Sequence, residues 1–226
     1  MKFIDDKNKK LSKWNRNYFF VGTILFIVLN IVLFAVYGLS LHTKLSNSIP
    51  NNDHYSFFDQ LYRLILQFCG NFTHSTWEHV LQNMLGFSFC LFYIERKYGT
   101  LKFLGILFTL TLFVSFMSIY DSSTALGSSY VWFACFGFVL IDFLFSFRRK
   151  YRNTTNIIVG VIVILLEFIR CGFYDDYTRG ARVIKWGFYP AQLTGGHAAG
   201  FLVGICVCVL IHLTILYSNK KEFVNN

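Results

Sequence analysis

Polar and apolar positions fall in long alternating blocks along this chain, and the blocks predict its elements. Residues 18–41 are almost wholly apolar, enough at about 1.5 Å per residue to cross a hydrocarbon core of about 30 Å. This is the first predicted span. Asn30 in its middle is expected to hydrogen-bond a neighbouring helix, since an unpaired amide in lipid is costly. Residues 42–78 form a long connection in which 57–68 mix apolar and polar positions at roughly helical spacing. That segment is too short and too polar to span. It reads as a helix lying in the interface, with Tyr62 and Arg63 at headgroup level. The polar lead-in 72–84 opens a second span that ends at Ile94, before a short turn at 95–99. Further spans are predicted over 103–120, from about 129 to 147, over 156–169 and from about 195 to 217, with Glu167 near the outer end of the fifth.

Composition agrees with this pattern. Of the 226 residues 54% are hydrophobic and only 15% charged, and the mean hydropathy is +0.47. That excludes an ordinary soluble domain. The net charge of +9 could point to nucleic acid, but the basic residues sit in short clusters between apolar runs, where the positive-inside rule places them. No nucleic-acid partner is expected. Residues 1–17 form a basic tail that reads as cytoplasmic, because the apolar run behind it is too long for a signal-peptide core. The clusters at 96–102, 148–152 and 220–221 fall on the same side. Six spans with both ends in the cytoplasm follow, giving a membrane domain over 18–217 and a short tail over 218–226. Six cysteines lie scattered without a CxxC pair, and Cys206 and Cys208 point to different faces of a helix. No metal or other cofactor is expected. A Cys69–Cys171 disulfide is compatible with the topology.

The candidate chemistry lies at the outer ends of the spans. An intramembrane imidazole is a functional-site hypothesis by default, and His197 stands at the entrance of the sixth span. Gly196, Gly200 and Gly204 follow at four-residue intervals on one helix face, which admits a close neighbour. Ser129 opens the fourth span at the same depth. A hydroxyl is a weak nucleophile until a base takes its proton, and a neutral imidazole suits that task near pH 7. A tetrahedral intermediate also needs donors for its oxyanion. His79 and Asn83, four residues apart on one face of the second span, can supply them. The blander readings are helix-packing polar contacts for Ser129, His79 and Asn83, a loop-ordering role for His74, and incidental positions for His42, His54 and His212. Asp142 lies thirteen residues beyond Ser129, roughly 20 Å deeper on the helix, and so cannot orient His197. Glu167 has a suitable depth for a third member.

These residues together resemble the rhomboid family of intramembrane serine proteases. Tyr62 and Arg63 are similar to that family's aromatic–arginine pair in the first loop. His74, His79 and Asn83 resemble its histidine, histidine, asparagine set, and Glu95 and Gly99 its following turn. Gly127, Ser128 and Ser129 resemble its glycine-x-serine motif, while His197, Gly200 and Gly204 resemble its histidine-x-x-glycine-x-x-x-glycine helix. The resemblance implies an all-α membrane protein with a six-helix bundle and an interfacial first loop. It also implies a Ser129–His197 dyad that does not call for Glu167 as a third member, an oxyanion site from His79, Asn83 and the Ser129 backbone, and transmembrane segments of other proteins as substrates within a lipid bilayer, at the cell membrane. Two positions depart from the family. Tyr130 stands where a glycine is usual, beside the nucleophile, and is expected to turn away from His197. Phe133 stands where a tyrosine often packs on the catalytic histidine, and its ring can still stack there. Tyr130 keeps open a second reading, an inactive relative that binds transmembrane clients. A proton-relaying transporter would require an inverted internal repeat, and the halves show none.

Overall fold

A computed structural model describes residues 20–48, 56–74, 76–120, 129–148, 154–178, 181–186 and 196–224. The basic tail over 1–17, Gly127, Ser128, Thr194 and Gly195 lie outside the described residues. Among the described residues seven helices follow in order: α1 (Val21–Ser48), α2 (Phe57–Gly70), α3 (Trp77–Tyr98), α4 (Thr100–Tyr120), α5 (Ser129–Arg148), α6 (Thr154–Gly172) and α7 (Gly196–Val224). Between α6 and α7 the connection folds as an antiparallel hairpin, β1 (Phe173–Thr178) and β2 (Ala181–Trp186), with Phe173 opposite Trp186. The mixed-charge reading of 170–194 gave no strand there. Tyr174, Tyr177, Val183, Ile184 and Trp186 supply the β-branched and aromatic residues that favour one.

Among the described residues three helices are both long and apolar enough to cross a membrane: Thr100–Ile119, Ser129–Ser146 and His197–Tyr217. Val21–Tyr37 and Asn156–Ile169 are shorter apolar helices. The interior is built where α3, α4 and α5 meet, from fully buried Phe87, Leu91, Ile94, Phe103, Leu110 and Phe138. Outward, α1, α4, α6 and α7 present large apolar side chains such as Leu25, Leu101, Phe108, Leu165 and Leu202. Acyl chains are the solvent such a surface fits, since apolar area on this scale is not left to water.

Helix α2 begins with a capping box. The Ser56 hydroxyl accepts from the Asp59 N–H, and the Asp59 carboxylate accepts from the Ser56 N–H and hydroxyl. Those two bonds, the hydroxyl's foremost, hold the Asp59 carboxyl below its ordinary range. Tyr62 is 49% exposed, as an interfacial residue should be, but Arg63 is 8% exposed. Arg63 therefore faces the interior of the bundle and not its surroundings. It does so because its position shares a face with buried Leu66, Gln67 and Gly70. At the end of α2, Asn71 donates to Ser115 Oγ on α4 at 2.9 Å.

Two further expectations are corrected. Asn30 donates to the Phe26 carbonyl of its own helix at 2.9 Å instead of reaching a neighbour, and its Oδ1 is buried with no partner among the described residues. The residues 95–98 do not form a turn but the last turn of α3, which ends at Gly99 with φ 78°, a conformation that favours glycine. Glu95 is thus carried inside. It accepts from the N–H groups of Gly22 and Thr23, the Thr23 hydroxyl and the Thr100 hydroxyl, at 2.6–2.9 Å. A carboxylate at the start of α1 satisfies donors that have no intrahelical acceptor and meets the positive end of the helix dipole.

Candidate active site

Ser129 is the first residue of α5 and His197 the second of α7, so both side chains stand at helix N-termini. The two helices run parallel and very close. A Cβ placed on Gly200 would lie 2.3 Å from the Tyr130 carbonyl oxygen, one on Gly204 1.9 Å from that of Ala134, and one on Gly137 2.2 Å from that of Phe201. No side chain fits against backbone at those distances, so the three glycines are what allows the helices to approach. That approach brings His197 Nε2 to 3.2 Å from Ser129 Oγ.

Aromatic rings fix the imidazole. Phe133, one turn beyond Ser129, stacks on it with centroids 4.6 Å apart and planes at 25°. Tyr130 meets it edge-on, at 5.2 Å and 89°. The expectation that Tyr130 turns away is therefore wrong. Gly200 lets the Tyr130 backbone sit directly against α7, and the ring meets the imidazole there.

The two expected oxyanion donors, His79 and Asn83, both belong to α3. Thr76 caps α3 by accepting from the His79 N–H at 3.1 Å, and the His79 ring lies edge-on to that of buried His74, with centroids 5.2 Å apart. Asn83 is buried, and its Nδ2 has no acceptor among the described residues. Its level in the bundle follows from two contacts between parallel α3 and α5. A Cβ on Gly86 would lie 2.5 Å from the Trp132 ring, and Lys97 pairs with Asp142. Asn83 and Ser129 each lie three residues before the first of these contacts, which puts an unsatisfied amide donor at the depth of the hydroxyl. A buried donor without an acceptor is costly, and such groups recur where a ligand atom supplies the missing bond.

The chemistry open to this arrangement is nucleophilic. A hydroxyl within reach of an imidazole nitrogen can be deprotonated as it attacks. The Ser129 N–H, in the first turn of α5, has no intrahelical acceptor and can serve with Asn83 and His79 as an oxyanion donor. Against known families, the model of the rhomboid domain matches residues 59–214. The chain belongs to the rhomboid family. No curated protein and no solved structure matches it. Rhomboid membership agrees with the apolar helices in making this a membrane protein.

Several polar residues lie apart from the dyad. Glu167 is fully buried and accepts from Trp132 Nε1 at 2.9 Å and Cys90 Sγ at 3.3 Å, joining α6 to α5 and α3. Cys69 is exposed, and the side chain of Cys171, its suggested disulfide partner, lies outside the described residues. His212, taken as incidental from sequence, is buried and hydrogen-bonded to Asp142. The signal for it was present, since an acid and a histidine inside apolar spans call for partners.

Proposed function

We propose that this rhomboid is an intramembrane serine endopeptidase that cleaves transmembrane segments of other membrane proteins. The observation that carries the reading is the 3.2 Å approach of His197 Nε2 to Ser129 Oγ under the Phe133 ring. In this mechanism Ser129 Oγ attacks the scissile carbonyl carbon while His197 takes its proton. The oxyanion is held by Asn83 Nδ2, His79 and the Ser129 N–H. His197 then protonates the leaving amine, the acyl-enzyme remains on Ser129, and a water deprotonated by His197 releases the second product. No metal or cofactor takes part. The basic clusters support a six-span arrangement in the cell membrane, with the chain ends cytoplasmic and the dyad near the outer face.

The test is cleavage of a panel of single-span substrates by the protein in proteoliposomes. The parent cleaves at least one of them, whereas Ser129→Ala and His197→Ala each cleave none while remaining folded. Tyr130 favours a second reading, a client-binding rhomboid without proteolysis, because a large ring stands beside both the nucleophile and the base. Tyr130→Gly separates the two. A protease gains substrates on losing the ring; a parent that cleaves nothing while Tyr130→Gly gains activity is a client-binding protein.

A further inference from the structure

The packing of α5 on α7 follows a ladder of four-residue steps. Gly200 lies on Tyr130, and Gly204 on Ala134 and the Phe138 N–H. Continuing each helix by the same step leads from Phe138 to Asp142 and through Cys208 to His212, and there the small-residue contact is replaced by a hydrogen bond of 2.9 Å from His212 Nε2 to Asp142 Oδ1. Glycine against backbone sets how near the two helices come, and the polar pair adds a directional contact at the far end that is satisfied in one register.

The last rung discriminates. Asp142 is fully buried and accepts from His212, from Tyr98 Oη at 2.6 Å and from Lys97 Nζ, which also reaches Ser146 Oγ. Lys97 and Tyr98 belong to α3, so one carboxylate gathers the helices that bear Asn83, Ser129 and His197. If α7 slid one turn along α5, about 5.4 Å, Asp142 would face Cys208 or the following turn and lose the imidazole. The same slide would part Ser129 from His197. Buried polar groups are best attested as keys of helix register. Cys208 Sγ lies near enough that Asp142, Cys208 and His212 have the spacing of a metal site, with donor atoms within 4.8 Å. The Lys97 ammonium already occupies a cation's place on that carboxylate.

We propose that Asp142 and His212 are positioning residues, which lock α5 and α7 in the register that joins Ser129 to His197 from the opposite end of the bundle. This rests on the protease reading for its kinetic consequence but not for its structural one, so the test has two arms. His212→Phe keeps a ring against Phe145, whose centroid lies 4.5 Å from that of His212, and leaves the Lys97–Asp142 pair intact, so the chain still folds. Its companion Lys97→Met/Asp142→Asn removes the charges while the amide oxygen still accepts from His212.

The full-length protein in lipid nanodiscs is followed by hydrogen–deuterium exchange over peptides 129–136 and 197–204, and by the rate at which a fluorophosphonate labels Ser129. His212→Phe is expected to raise exchange in both peptides and to slow labelling by about 10²-fold, the scale of a misplacement of about 1 Å at a reacting centre. Substrate KM stays unchanged, and the companion variant holds both readouts near the parent's. Exchange confined to the neighbourhood of Asp142, with labelling at the parent's rate, overturns the proposal. A parent that is never labelled refutes the protease reading alone, and the exchange arm still decides the register.

Discussion

Removing the carboxylate of Glu95 tests how the bundle holds α1. In Glu95→Ala the Gly22 and Thr23 N–H groups lose their acceptor, as do the Thr23 and Thr100 hydroxyls. The hydroxyls are rotors that can turn to another acceptor, so they are left out of the cost. The two backbone donors have no such recourse, because helix geometry gives them no acceptor. At about 1–3 kcal/mol for each stranded donor, the loss is about 2–6 kcal/mol. Relief of the carboxylate's desolvation acts in the other direction, but four donors and the positive end of α1 already offset that term. Glu95→Gln keeps one acceptor oxygen and turns an NH2 toward the other donors, so its loss should be roughly half as large. The assay is reversible unfolding of the purified protein in mixed micelles by dodecyl sulfate, followed by far-ultraviolet circular dichroism. A Glu95→Ala protein as stable as its parent, or one more stable, would refute the capping argument.

The remaining predictions concern the site. Gly204→Ala puts a methyl group 1.9 Å from a backbone oxygen that cannot yield, so α5 and α7 must part by more than about 1 Å, and turnover should fall about 10²-fold. Steady-state cleavage in proteoliposomes reads this, and an Ala variant with parental turnover would show that the helices separate without disturbing the dyad. Asn83→Ala should lower kcat by about 10²–10³ with little change in KM, and the buried Nδ2 without an acceptor makes it no less stable than the parent. Unchanged kcat would return Asn83 to a packing role.

Much of this was legible because the apolar blocks and the polar residues at their ends are local features. A run such as 103–120 announces its helix, and His197 with glycines at four-residue spacing announces a close helix contact. What escaped depends on which helix faces which, and in what register. His212 looked incidental because its partner Asp142 lies seventy residues away on another helix. Glu95 looked like part of a turn because its acceptor role depends on the start of α1, seventy-two residues earlier. Arg63 carried the composition of an interfacial residue, yet its place on the buried face of α2 turned it inward. Tyr130 was assigned by rotation about an ideal helix, which predicts direction but not the distance of approach that Gly200 sets.

The central claim is that the Ser129 hydroxyl is activated by His197. Incubating the purified protein in lipid with a fluorophosphonate, followed by mass mapping of the adduct, tests it most directly. The account predicts one adduct, on Ser129, absent from Ser129→Ala and lost or strongly slowed in His197→Ala, while Ser128→Ala labels as the parent does. An adduct on Ser128, or labelling of Ser129 at the same rate with and without His197, contradicts it.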